Sequence, residues 1–466
     1  MQNLTAIVLA AGRGTRMKSA LPKVLHKLLD EPLLSYPLRA LGELGIKKQL
    51  VVVSGDQDGD QVEKSMSDFS AIEWPRQTQA RGTADAVTAA LKTLDGVSGS
   101  VLILCGDVPL LSTATLQFFY KKHRQSQAQL TILTAVLDDG GSYGRIILDP
   151  KGLPEAIVEA KDATPEQLLL KRINSGTYLV DIDLLRRALA ETDCDNAQGE
   201  YYLTDMVAFA RQNGASTAIF DVLDNREILG INTRNDLVAL EKIMAARISS
   251  HWLKHGVTVH FPETVRIGPC VTLGQDSEID SGVSLSGQTE IGENSHIGAG
   301  ANIKNCKIGD QVNINPYSVL EDSVVEENSQ IGPFARLRPG SEIGVGAKIG
   351  NFVETKKVKF GKGAKASHLA YIGDAEVGEK SNLGAGTIVC NYDGFNKFKT
   401  IIGQRVFIGS DSQLVAPVKL GDDVLVGAGS TVTRDVADNA LVTTRTRQKE
   451  LAGRGMAWRR PSSEEQ

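Results

Sequence analysis

Two stretches of this sequence gather residue types that could do chemistry. The first is Leu9-Ala10-Ala11-Gly12-Arg13-Gly14-Thr15-Arg16-Met17, which follows a short apolar run and precedes Leu21-Pro22-Lys23. Small residues let a backbone close on a phosphate chain, whose oxygens its N–H groups can cradle. Arg16 and Lys23 add positive charge. The stretch is not a P-loop, because no Gly-Lys-Ser/Thr closes it, and Met17 stands where a dinucleotide turn needs its third glycine. A glycine-rich turn alone is common in α/β proteins. Asp107, in Gly106-Asp107-Val108-Pro109, stands just past another apolar run. A carboxylate there suits a hard cation such as Mg²⁺; the alternative is a helix N-cap. The phosphate loop and Asn232 favour the cation.

The second stretch surrounds His368. A lone histidine is ordinarily a polar residue on a face of the fold. Here Arg338, Lys356, Tyr371, Asn382, Asn391 and Tyr392 form a dense polar set in an otherwise repetitive segment. This cluster, beside the breaks in the repeat, outweighs the reading of His368 as a lone polar residue.

The elements that must carry these residues differ between the halves. In the first 230 residues, apolar runs such as Leu4–Leu9, Gln49–Val53 and Val101–Leu104 alternate with helical stretches such as Ser35–Leu44 and Ala84–Leu94. This pattern predicts a mostly parallel sheet of α/β type. Residues 235–254 read as one helix, with Leu237, Leu240, Met244 and Ile248 at helical spacing. From Ile267 an aliphatic residue recurs every six positions. The series runs through Leu273, Ile279, Leu285, Ile291, Ile297 and Ile303, then Ile308 and Ile314, then Val325 to Ile349, and last Ile402 to Val432. Of the 46 glycines, 25 fall within residues 265–436. A hexapeptide period predicts a parallel β-helix of roughly nine coils. The period breaks at Asn351–Lys365 and at Cys390–Thr400, where outward loops are expected.

Composition bounds the rest. The chain has 466 residues, enough for two or three units. Its 51 basic and 56 acidic residues give a net charge of −5, which argues against nucleic-acid binding. No apolar run is long enough to span a membrane. The start, Leu4–Ala11, lacks the charged region and cleavage site of a signal peptide. Five scattered cysteines without a CxxC pair suit a reducing cytoplasm.

The loop and its Leu-Pro-Lys continuation are similar to the signature of sugar-nucleotide nucleotidyltransferases. The likeness continues through Gln77 with Gly82-Thr83, Gly106-Asp107, Tyr143-Gly144-Arg145-Ile146, Ile157-Val158-Glu159, Asn174-Ser175-Gly176 and Gly230-Ile231-Asn232. With the hexapeptide half attached, residues 4 to 460 resemble the family of bacterial bifunctional N-acetylglucosamine-1-phosphate uridyltransferase/glucosamine-1-phosphate N-acetyltransferases. The resemblance implies a Rossmann-like nucleotidyltransferase domain (1–232), a linker helix (233–255) and a left-handed parallel β-helix acetyltransferase domain with a C-terminal tail (256–466). It implies that Leu9, Ala10, Ala11 and Gly12 hold UTP, that Lys23 touches its phosphates, and that Gln77, Gly82 and Thr83 read the uracil. Asp107 and Asn232 would coordinate Mg²⁺, and Gly144, Glu159 and Asn174 would hold the N-acetylglucosamine. Cys105 departs from the aromatic residue the family often has.

In the second half the resemblance makes His368 the general base toward glucosamine-1-phosphate, with acetyl-CoA as donor. Arg338 and Lys356 bind the sugar phosphate. Tyr371, Asn382, Asn391 and Tyr392 position the sugar, and the last two also face acetyl-CoA. The Ala385 N–H meets the oxyanion, and Ser410, Ala428 and Arg445 contact coenzyme A. A cytoplasmic homotrimer making UDP-N-acetylglucosamine for peptidoglycan and lipopolysaccharide is implied. The alternative is a single-function nucleotide-sugar pyrophosphorylase whose β-helix only regulates or scaffolds.

Overall fold

A computed structural model of the chain describes residues 4–445, 447–452 and 455. The end of the expected C-terminal tail, Glu464-Glu465-Gln466, lies outside them. The chain divides into two compact units, one ending at Met244 and one beginning at Ala245.

The first unit is built on a ten-stranded sheet. β1 (Leu4–Leu9) lies between β2 (Lys48–Ser54) and β3 (Ser100–Cys105), parallel to both. These runs are apolar on both faces because helices cover both; Ile7 and Leu50 pack on one side, Val8 and Val51 on the other. Beyond β3 the mostly parallel sheet becomes mixed: Thr217–Asp221 pairs parallel with Leu130–Val136, and the other pairings there are antiparallel. β4 (Leu130–Val136), β5 (Arg145–Leu148), β6 (Pro154–Val158) and β7 (Arg172–Asp181) form an antiparallel wing joined to β3 through β7. An apolar run marks a buried strand without marking its direction, so the reversal was not visible in the pattern. The loop after β1, Asp107 after β3 and Asn232 all gather at the carboxyl ends of the parallel strands, where open α/β sheets bind ligands.

The second unit is a left-handed parallel β-helix whose three faces are ladders of two- and three-residue strands. Every periodic aliphatic residue from Ile267 to Val432 lies in one buried core. The coils run on past both ends of the period: one face carries eleven strands, from Thr258–Val259 to Leu441–Val442, against the nine coils expected. The break at Asn351–Lys365 forms no outward loop. There the chain continues as one strand, Glu354–Phe360, that turns a corner while Thr355, Val358 and Phe360 fill the interior. The break at Cys390–Thr400 does leave the coil as a loop, pinned by pairing of Tyr392 with Lys397. The helix Arg234–Lys254 appears as predicted, and Ile248 and Trp252 pack against the β-helix core.

Candidate functional site

In the first unit one cavity of about 380 Å³ is lined by Leu9, Ala10, Ala11, Gly12, Lys23, Gln77, Gly82, Thr83 and Asp107. All nine were expected from sequence. The loop is fixed at its base: Gly106 N–H donates to the Leu9 carbonyl and Ala10 N–H to that of Val52. Gln77 is oriented by donating from Nε2 to the Gly82 carbonyl and the Asp85 carboxylate, both at 3.0 Å. Gly82 adopts φ +115°, and a Cβ there would meet the Tyr201 carbonyl at 2.4 Å, so only glycine lets the backbone pass. Arg13, Glu200 and Cys105 also line the cavity. Burial pushes the Cys105 thiol up to about 12, so it is not poised as a nucleophile.

The Asp107 carboxylate and the Asn232 amide oxygen meet on one cation, the Lys23 ammonium, which lies 2.7 Å from Asn232 Oδ1 and forms an ion pair with Asp107. Arg16 Nη2 donates to the same Asn232 oxygen at 2.8 Å. The Ile231 N–H donates to the Asp107 carbonyl, which fixes the two segments together. Two hard oxygen donors converging on a cation fit a divalent metal such as Mg²⁺. Among the described residues no group of three or more His, Cys, Asp or Glu side chains gathers for a metal. The other ligands would therefore be substrate phosphates and water, as is usual for this ion.

Gly144, Glu159 and Asn174 are also brought together. Asn174 N–H donates to the Gly144 carbonyl at 2.9 Å, and a Cβ on Gly144 would stand 3.4 Å from the Glu159 carboxylate. Burial raises the Glu159 carboxyl above its usual range; a hydrogen bond from Thr204 opposes this, and Asp162 and Asp205 add to it. The group adjoins the cavity at Leu9–Gly12 through Cys105, which lines that cavity and whose sulfur faces the Gly176 carbonyl at 3.7 Å.

In the second unit the strand registers assemble two groups. Pairing of Leu337 with Thr355 and of Lys356 with Gly373 stacks Arg338, Lys356 and Gly373 in successive coils. Arg338 donates to Glu354 at 2.9 Å. The Lys397 side chain holds the Lys356 ammonium below its ordinary range, burial and the Arg338 charge act the same way, and Asp374 opposes them. Three cations this close call for an anion. Asn391 Nδ2 donates to Asp374 at 2.6 Å. A Cβ at Gly373 would meet both the Tyr371 hydroxyl and the Asn391 amide, so these two side chains converge where that glycine leaves room. Lys397 was not singled out from sequence, although it lies inside the Cys390–Thr400 break that marks the loop.

The other group is a corner column. Ala366 pairs with Leu383, Leu383 with Ile408, and Ile408 with Val426. Two residues past these positions, at the strand end His368 and in the turns at Ala385, Ser410 and Ala428, the coils stack one above the next, linked by Gly386 N–H to the Leu369 carbonyl, Asp411 N–H to that of Ala385 and Gly429 N–H to that of Ser410. Arg445 lies over Gly427, whose added Cβ would meet its Nη2 at 3.5 Å, so it flanks Ala428. His368 Nδ1 is 2.5 Å from Asn351 Oδ1. An amide oxygen only accepts, so Nδ1 carries the proton and Nε2 keeps the lone pair a base needs. Asn382 stands on the same ladder, just before Leu383, in register with Lys365 and Phe407. Tyr392 is exposed, its hydroxyl donating to the Gly394 carbonyl.

Comparison with known proteins gives concordant matches. The family model of a MobA-like NTP transferase domain matches residues 6–175. A GMPPB C-terminal domain model matches residues 267–349, and a hexapeptide repeat of succinyl-transferase matches residues 399–434. The bifunctional protein GlmU of Trichlorobacter lovleyi is 46% identical over 450 residues, covering 96% of this chain and 97% of that protein. The GlmU of Geotalea uraniireducens is 46% identical over 453 residues (97% and 99%), and that of Listeria monocytogenes 42% identical over 453 residues (97% and 98%).

Proposed function

Because this chain belongs to the family of bifunctional GlmU proteins, we propose that it makes UDP-N-acetylglucosamine in two steps, each in its own unit. It is a transferase with two activities, acyl transfer and nucleotidyl transfer. Glucosamine-1-phosphate is acetylated from acetyl-CoA. The N-acetylglucosamine-1-phosphate formed then takes UMP from UTP and releases pyrophosphate. The product is the precursor for peptidoglycan and lipopolysaccharide. Residues 1–232 carry uridyl transfer, 233–255 form the linker helix, and 256–466 carry acetyl transfer.

For acetyl transfer, Arg338, Lys356 and Lys397 hold the sugar phosphate, and Tyr371, Asn382 and Asn391 orient the ring. The 2-amine attacks the thioester carbon while His368 Nε2 accepts its proton. The Ala385 N–H donates to the tetrahedral oxyanion. The C–S bond then breaks, the proton on His368 Nε2 passes to the sulfur, and coenzyme A leaves as the thiol, its length held by Ser410, Ala428 and Arg445. For uridyl transfer, an oxygen of the sugar 1-phosphate attacks the UTP α-phosphorus and pyrophosphate departs. The loop N–H groups of Ala11 and Gly12, with Lys23 and Arg16, stabilise the accumulating charge. A bound Mg²⁺, held by Asp107 and Asn232, would supply further charge neutralisation.

A homotrimer is part of the same reading. Tyr317, Phe334 and Phe352 stack in an exposed ladder with centroids 5.3 and 5.4 Å apart, and Leu369 beside His368 extends it. Such an exposed apolar stripe fits a second copy. Cytoplasmic residence is supported by five scattered cysteines without a CxxC pair.

The observation that carries the bifunctional reading is the corner column of His368, Ala385, Ser410 and Ala428, which a scaffold or regulatory β-helix has no need to build. Incubation of the full chain with glucosamine-1-phosphate and acetyl-CoA is expected to release free thiol stoichiometrically with N-acetylglucosamine-1-phosphate. No thiol release, with uridyl transfer intact, would leave the pyrophosphorylase alternative. A chain beginning at residue 233 is expected to keep acetyl transfer and lose uridyl transfer. A folded, trimeric product inactive with both acetyl-transfer substrates would overturn the division of labour.

A further inference from the structure

A buried cation without a counter-charge joins the turn before Gly144 to the segment that follows Glu159. Arg145 is 2% exposed, and among the described residues no carboxylate pairs with it. Its guanidinium donates instead to backbone carbonyls: Gly140 at 3.2 Å, Gly141 at 3.1 Å, Tyr143, and Leu168 at 3.4 Å from both Nε and Nη2. These carbonyls belong to two separate segments. The turn Gly140–Tyr143, closed by Tyr143 N–H on the Gly140 carbonyl, runs directly into Gly144. Leu168 ends the short helix Pro165–Leu168, which follows Glu159 and the turn that Asp162 N–H makes on the Glu159 carbonyl. The same loop sends the Tyr143 hydroxyl to accept from Gly230 N–H at 3.3 Å, two residues before Asn232.

A buried charge must be compensated by its surroundings. Here the compensation comes from carbonyl dipoles on both segments, so neither can move away without leaving the guanidinium undersolvated. Arginine offers five donors in a planar fork, enough to hold two segments at a fixed separation; a lysine ammonium is a single point and cannot. We propose that Arg145 is a positioning residue of uridyl transfer, setting the spacing between the Gly144 wall and the Glu159 wall and so tuning the site for the sugar phosphate rather than for the nucleotide. This inference rests on the reading of Gly144, Glu159 and Asn174 as the sugar subsite.

The test is steady-state kinetics of the full chain. Arg145→Lys, which keeps the charge, is expected to raise the KM for N-acetylglucosamine-1-phosphate about tenfold or more, while the KM for UTP stays within about threefold and acetyl transfer is unchanged. Gly140→Ala is a second variant that leaves the arginine in place. Its added Cβ would come 2.6 Å from the guanidinium carbon and displace the same turn, so the same split in KM is expected. A sugar-phosphate KM within about threefold of the parent in both variants overturns the proposal, as does a parallel rise in both KM values. Glu159→Ala locates any failure: if it raises the sugar KM while the other two do not, Arg145 alone is misassigned. If it leaves the sugar KM unchanged as well, the subsite itself is misplaced.

Discussion

Replacement of Asp107 by alanine is expected to cut uridyl transfer on the order of 10³-fold while acetyl transfer continues at the parent rate. The carboxylate sits at the end of Ser100–Cys105 and shares the Lys23 ammonium with Asn232. Its removal takes away the charged donor of the proposed metal pair and frees Lys23 from its anchor. The backbone is spared, because the Asp107 carbonyl, which accepts from Ile231 N–H, exists in any residue. Loss of one preorganised electrostatic group costs about 10²–10³ in rate. A substitution that also disturbs a lysine on the phosphates belongs at the upper end, roughly 4 kcal/mol of barrier. Asp107→Asn keeps the shape and an oxygen but not the charge, and is expected to fall between the two. Acetyl transfer is the internal control, since it depends on the other unit. Formation of UDP-N-acetylglucosamine within about threefold of the parent by Asp107→Ala would remove this residue from the metal site.

The nucleotide half was legible because its chemistry is carried by short contiguous motifs. Leu9 to Gly12 form one segment, Gly106-Asp107 follows Ser100–Cys105, and Gly230-Ile231-Asn232 precedes the helix Arg234–Lys254, so that Asn232 meets the Lys23 ammonium beside Asp107 at the cavity. What the pattern did not give was strand direction: Arg172–Asp181 runs antiparallel to Ser100–Cys105, and an apolar run is the same read either way. Arg145 was quoted within a motif and given no role, since burial without a counter-charge is a property of the folded chain. In the β-helix every residue of the aliphatic period lies in the buried core, because one side chain per strand must point inward, while Leu320, Ile372, Leu383 and Val389 are inward positions outside the series. The meaning of the breaks was less legible. A bulky Phe360 and a bend through Val358 absorb one break inside the coil, whereas the other, with Asp393, Gly394 and Asn396, turns outward. The corner column depends on strand registers across these breaks, and so it emerged only when the coils were in place.

His368→Ala is expected to lower the acetyl-transfer kcat by about 10²–10⁴-fold, the usual contribution of a positioned general base, or roughly 3–5.5 kcal/mol of barrier. A primary amine attacks a thioester only as the free base, and near neutral pH much of it is protonated. An imidazole is the side chain whose ordinary titration falls in that range. In this structure the Asn351 amide oxygen occupies Nδ1, so the lone pair is held on Nε2. The KM for acetyl-CoA is expected to change little, because Ser410, Ala428 and Arg445 stand at or beyond the adjoining coils and keep their contacts. Uridyl transfer is expected to be unaffected. The residual rate should rise with pH, since more substrate amine is then already deprotonated and no base is needed to remove its proton. Asn351→Ala separates orientation from chemistry: it leaves the imidazole in place but frees its tautomer and rotamer, so a smaller loss is expected, with a pH profile shaped like that of the parent. Acetyl transfer by His368→Ala within about threefold of the parent would contradict the base assignment. It would return His368 to the role of a polar residue on a β-helix corner.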